Sequence, residues 1–193
     1  MGIVSFAAAT DAVRARLGGA ALAHSERVAQ TASDLARVYS VDADTARIAG
    51  LLHDWDREQS AAELISSARS AGIEFTDADL AVPYLLHART AVASLRDAMP
   101  GLPEEVLSAV ERHTLGAVDM SDLDMVVYLA DMIEPARVYP GLEELRGVVG
   151  TLPLADLFAL GYQHSVAHLV STRRKIHPET VAVWNALVAG GAR

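Results

Sequence analysis

Ile48-Ala49-Gly50-Leu51-Leu52-His53-Asp54 is an apolar helical run that ends in two polar side chains. Histidine and aspartate are poor material for a core, because both need polar partners once they leave water. They are good metal ligands. Upstream, Asp42 can cap a helix reaching Leu52 or His53, on which Ala46, Ala49, Gly50 and His53 form one face of small residues. A neighbour can approach that face closely, so His53 is expected to point inward. His24 precedes the stretch, and His87, His113 and Asp131 follow it. Imidazole nitrogen and carboxylate oxygen suit iron, manganese, cobalt or zinc. Six such groups exceed what one tetrahedral ion needs, which points to an open or two-metal centre.

The flanking sequence is helical as well. Alanine and leucine dominate, strand-type alternation is scarce, and the breakers fall at helix-length intervals, so the fold class is all-α. Helices are expected at about 5–17 and 21–39, the second carrying His24, Val28, Thr31, Leu35 and Val38 on one face. Ser60-Ala61-Ala62-Glu63 is a capping box opening a short helix that ends before Gly72. A helix at about 84–98 carries His87 in its first turn, and another, with Pro103 in its first position, carries Val106, Val110 and His113. Ser121 caps a helix of about 122–133, which Pro135 ends. Within it, Met125-Val126-Val127-Tyr128-Leu129 could locally form a strand, but Asp124, Tyr128 and Asp131 have helical spacing. Further helices follow at about 142–148, 154–173 and 179–189, the last opened by Pro178. No linker or repeat is visible. A single domain over 1–193 is expected, with a metal-binding helical core at about 20–135 and a C-terminal helical extension at about 136–193.

Composition narrows the function. A chain of 193 residues can bury roughly 70% of its unfolded surface without staples. There is no cysteine, which removes disulfides, thiolate zinc sites and cysteine nucleophiles and fits a cytoplasmic location. The apolar stretches fall short of the ~20 residues of a membrane span, and the start lacks the basic residues of a secretion signal, so no membrane partner is expected. The formal charge of -9 argues against nucleic acid as a partner. It leaves room for a small phosphate ligand, since single arginines and bound cations reverse the local sign.

The order His24, His53-Asp54, His87, His113, Asp131 resembles the HD-domain metal-dependent phosphohydrolases. His24-Ser25-Glu26-Arg27-Val28, Ala49-Gly50-Leu51-Leu52-His53-Asp54, Arg112-His113-Thr114, Tyr128-Leu129-Ala130-Asp131-Met132-Ile133-Glu134-Pro135, Arg137 and Ile176-His177-Pro178-Glu179-Thr180-Val181 resemble one branch, the symmetrical bis(5'-nucleosyl)-tetraphosphatases of the YqeK type. That resemblance spans roughly residues 20 to 185. It implies an HD-domain helical bundle that splits diadenosine tetraphosphate symmetrically into two ADP by attack of a metal-activated hydroxide. It also implies two transition-metal ions, usually iron, and a homodimer. One ion would take His24, His53, Asp54 and Asp131, the second His87 and His113, with Asp54 bridging. Arg57 where the branch commonly has Lys, Arg89 where it has no arginine, and Leu115 where it has a second Thr are departures that leave the metal set intact.

The remaining polar residues divide between substrate and scaffold. Arg27, one turn from His24, could hold a phosphate with two parallel hydrogen bonds, and a surface ion pair with Glu26 or Asp34 fits the same spacing. Arg57 and Arg137 could hold outer phosphates or be solvated surface charges. Thr114 could bond a phosphate or its own helix. His164 and His168 stand at i, i+4 with no acidic or cysteine partner in register, and read as a boundary face whose replacement leaves metal content and turnover nearly unchanged. His177, before Pro178, reads as a helix N-terminal contact. Apolar side chains of the 120–142 segment are the candidates for a purine pocket.

Phosphate-binding P-loop, dinucleotide-turn and serine-elbow signatures are absent. The chain also lacks the Glu-Asp of guanosine tetraphosphate hydrolases at Arg57-Glu58 and the G-Y-P element of cyclic-dinucleotide enzymes. Two other readings stay open: an HD phosphohydrolase acting on another nucleotide or pyrophosphate, and a metal-containing nucleotide-sensing module.

Overall fold

The computed structural model describes residues 4–190, and among them there are helices and turns but no strand. The architecture is set by how closely two helices cross. Helix α2 (Gly19–Val38) packs along α3 (Ala43–Leu52), with buried Ala29 and Ala32 of α2 beside Gly50 of α3. Gly50 leaves no space there: an added Cβ would lie 3.0 Å from the Cβ of Ala32 and 3.0 Å from the carbonyl oxygen of Val28. Asp42 caps α3 by accepting from the Thr45 amide at 2.7 Å, as expected for an N-cap aspartate.

Helix α8 (Asp122–Ile133) is the central rod. Every residue from Leu123 to Ala130 is buried, so the apolar run with strand-like composition is a helix surrounded on all sides. Ser121 and Asp124 form its capping box, and the buried Asp124 carboxylate is neutralised by Arg112 at 2.9 Å. Around α8 lie α2, α3, α7 (Glu104–Arg112) and α10 (Leu154–Ser171), with α1 (Phe6–Arg16) against α3 and α11 (Pro178–Gly190) against α10. One core of buried apolar residues extends from Ala9 in α1 to Val183 in α11.

Several boundaries differ from expectation. The segment read as one helix from 84 is a 3-10 turn, Pro83–Leu86, followed by α6 (His87–Ala98), so His87 is the first residue of its helix. Pro103 occupies the N-cap of α7, one place earlier than expected. A short helix that periodicity did not suggest, α5 (Asp77–Ala81), is held by the Thr76–Asp79 capping box, five residues being too few to show a period. Helices α4 (Ala61–Ser70), with the expected capping box at Ser60 and Glu63, and α9 (Leu142–Gly147) complete the set. His177 accepts from the Glu179 amide at 3.2 Å, the expected helix N-terminal contact, and its other nitrogen faces Asp79 at 3.4 Å.

Candidate metal centre

Three histidines are presented in the same way. His53 follows the last residue of α3, His87 opens α6 after the 3-10 turn, and His113 follows the last residue of α7. Each ring donates from Nδ1 to the carbonyl three residues back: Gly50 at 2.8 Å, Tyr84 at 2.7 Å and Val110 at 2.6 Å. A carbonyl only accepts, so the proton is on Nδ1 and the lone pair of each ring is on Nε2. His24 on α2 has the same tautomer, its Nδ1 lying 3.1 Å from the Glu134 carboxylate.

All four Nε2 atoms face Asp54, and those of His24 and His53 also face Asp131. His24 and His53 lie 3.8 and 3.4 Å from Oδ2 of Asp54, whereas His87 and His113 lie 3.1 and 3.6 Å from Oδ1. Asp131 adds its Oδ1 at 2.9 Å from His24 and 3.9 Å from His53. The donor set fits metal ions. His53 Nε2 is buried with no hydrogen-bond partner, and the lone pairs of His87 and His113 face each other at 3.1 Å. Neither arrangement satisfies itself without a shared cation. Among the described residues, two groups of potential ligand atoms are close enough to hold an ion, His24-His53-Asp131 and His53-Asp54-His113.

The local field has the same sign. Burial would lower the proton affinity of His53, but the Asp54 and Asp131 carboxylates outweigh it and raise the pKa to about 9, so without an ion Nε2 carries a proton that a bound cation would replace at that lone pair. A place that attracts a proton so strongly attracts a divalent cation. Burial would likewise raise Asp54 and Asp131; the imidazoles around them, and Arg137 beside Asp131, hold both well below the usual carboxylate range. Both are therefore ionised, as ligands must be.

The surroundings of the cluster were only partly foreseen. Arg27 pairs with neither Glu26 nor Asp34. Those two are taken by Arg14 and Arg37, and Arg27 binds Glu134 in a fork, Nε to Oε2 at 2.6 Å and Nη2 to Oε1 at 3.2 Å. Since Oε1 also holds His24, Arg27 reaches the centre through Glu134. The Pro135 break swings Glu134 back across α2, and Arg146 fixes that turn by donating to the carbonyls of Ile133 and Glu134. Neither Glu134 nor Arg146 was singled out in the sequence, although Glu134 belongs to the segment quoted for the resemblance. Of the departures from the branch, Arg89 turns away to Asp79 and Leu115 is buried.

A cavity of about 270 Å³ opens beside the cluster, and Asp54, His113 and Asp131 are among the residues that line it. Arg57, Thr114 and Arg137 are on its wall; Arg27 is not. Arg57 stacks over the Tyr84 ring at 4.2 Å, Thr114 Oγ1 lies 3.1 Å from His113 Nε2, and Arg137 donates to Asp131. Tyr128, Met132 and Tyr139, from the 120–142 segment that carries the purine-pocket candidates, line the cavity with apolar surface, as does Tyr84. His164, Ser165 and His168 complete the wall. The boundary face assigned to the two histidines thus borders the candidate site, which the spacing within one helix could not reveal.

The HD-domain family profile matches residues 21–136. The symmetrical bis(5'-nucleosyl)-tetraphosphatase of Halalkalibacterium halodurans is 31% identical over 86% of this chain and 87% of its own length. The protein of the same name from Bacillus subtilis is 28% identical over 86% and 89%. A crystal structure from Clostridium acetobutylicum, described as a predicted HD superfamily hydrolase involved in NAD metabolism, superposes with a TM-score of 0.88 at 32% identity, covering 98% of this chain and all of that one.

Proposed function

The chain belongs to the HD-domain family, among the relatives of the symmetrical bis(5'-nucleosyl)-tetraphosphatases, and from that membership we propose that it hydrolyses diadenosine tetraphosphate symmetrically to two ADP. The observation that carries the reading is the division of Asp54, one oxygen toward His24 and His53 and the other toward His87 and His113. We assign His24, His53, Asp54 and Asp131 to one transition-metal ion and His87 and His113 to a second, with Asp54 shared and iron as the metal. When bound, the ions supply an activated water at neutral pH and neutralise charge on the phosphoryl oxygens.

The chain's own residues do the rest. The Nδ1 bonds keep the imidazoles from rotating, so the lone pairs stay aimed at the centre. Arg57 and Arg137 offer guanidinium groups to the phosphates flanking the reacting one, and Thr114 offers a hydroxyl. Arg27 is a positioning residue that orients His24 through Glu134. Tyr84, Tyr128, Met132 and Tyr139 give a purine a face to stack on. Symmetrical cleavage requires the second phosphate from one adenosine to lie over Asp54, which places that nucleoside farther along the cavity.

Two measurements test this. Metal analysis of anaerobically purified protein should find about two iron atoms per chain. Chromatography of the products from diadenosine tetraphosphate in ¹⁸O-water should show ADP alone, with the label in one ADP of each pair. ATP and AMP would overturn the symmetrical reading, and absence of any cleavage by the fully loaded protein would favour a nucleotide sensor.

A further inference from the structure

Helix α10 turns a row of hydrogen-bonding groups toward the cavity, and nothing in the metal cluster uses them. His164 and His168 stand one turn apart, about 6 Å along the helix axis, and both line the cavity. Neither ring has a hydrogen-bond or ion-pair partner among the described residues, and neither is in a group that could hold a metal ion. Between them, Ser165 accepts from the Tyr128 hydroxyl at 3.0 Å, which leaves its own proton free to be donated. The chain makes room for this arrangement. Gly141 lies against the His164 ring so closely that an added Cβ would sit 2.6 Å from Cε1 and 3.0 Å from Nδ1, and its φ of 85° also favours glycine.

Arg57 and Arg137 line the same cavity, so a ligand reaching from Asp54 to α10 meets guanidinium donors as well as imidazoles, and the only carboxylates among the lining residues are Asp54 and Asp131 of the cluster. A phosphate chain fits such walls; a cation does not. Resting on the function proposed above, we propose that His164 and His168 bind a phosphate of the substrate remote from the reacting one, and so set the phosphate-chain length that the enzyme prefers. A substrate with too few phosphates would engage the cluster and leave α10 empty.

The test uses His164→Gln and His168→Gln in the metal-loaded protein, with diadenosine tri-, tetra- and pentaphosphate as substrates and calorimetric binding of ADP as a second readout. For each variant, KM for the tetraphosphate should rise about tenfold, the scale of one charge-assisted hydrogen bond, while kcat stays within about twofold. The preference for tetraphosphate over triphosphate should shrink, ADP should bind correspondingly more weakly, and metal content should not change. KM and ADP affinity within twofold of the parent would overturn the proposal, as would loss of metal from a folded variant, which would make the pair ligands. His168 is exposed, so its variant folds whatever His164→Gln does to the packing on Gly141. Failure of the parent to cleave the tetraphosphate would count against the function, and the ADP arm would still decide the role of the pair.

Discussion

Asp54 is the residue on which both halves of the cluster depend. Its two oxygens face different imidazole pairs, so Asp54→Ala should empty both metal positions and abolish hydrolysis, as read by metal analysis and product formation. A variant that keeps two ions would show that the carboxylate does not bridge. Glu134 makes a different prediction, because it touches His24 and not the cavity. Glu134→Gln removes the negative charge that holds the His24 Nδ1 proton and the Arg27 fork, and should weaken metal retention about 10- to 100-fold, as orienting partners of ligands do. Competition with a graded chelator measures it. Arg27→Ala should act in the same direction and more weakly, since Glu134 keeps the Ala136 amide at 2.7 Å. Arg137→Ala should lower turnover more than metal content, because its guanidinium is on the cavity wall.

At the level of elements, the crossing of α2 and α3 and the anchoring of α5 are each concentrated in one position. Gly50→Ala puts a methyl group where Ala32 and Val28 already stand, and should cost about 1–2 kcal/mol in chemical denaturation, overpacking outweighing the gain in helix propensity. Because His53 ends the same helix, the shift should also weaken metal retention. Asp79 caps α5 and faces Arg89 and His177. Burial would raise its pKa, but the Thr76 hydrogen bonds, Arg89 and His177 together hold it below the ordinary value. The unfolded chain then binds the proton first, so stability rises with pH in this window. Asp79 contributes fully above its unfolded pKa of about 4, and the contribution is lost as pH falls through the lower folded value. Thermal melts between pH 6 and pH 2 should therefore show a shallower acid slope for Asp79→Asn than for the parent.

For the whole molecule, the candidate ligands come from α2, α3, α6, α7 and α8, so an ion bound there would stabilise the packing of all five. An ion present at about a hundredfold excess over its dissociation constant adds about 2.7 kcal/mol, and chelation should lower Tm by about 5–10 °C for a chain of this size. The all-helical class, most helix positions and the inward direction of His53 were legible in the chain, because 3.6-residue periodicity, capping boxes and glycine-proline breaks are local properties. The candidate ligands were legible for another reason: the order His24, His53-Asp54, His87, His113, Asp131 resembles that of the HD-domain family, and the fold brings these side chains together. The partners of Arg27 and the surroundings of His164 and His168 were not, because a side chain's neighbours across helices depend on crossing angles and on turns such as the one at Pro135. Glu134 lies 107 positions from Arg27, and no periodicity within α2 points to it. The sequence by itself thus determined which side chains could bind metal and which helices carry them. Only the tertiary structure decided which oxygen of Asp54 meets which imidazole and which wall of the cavity α10 supplies, since those depend on packing distances between segments far apart in the chain.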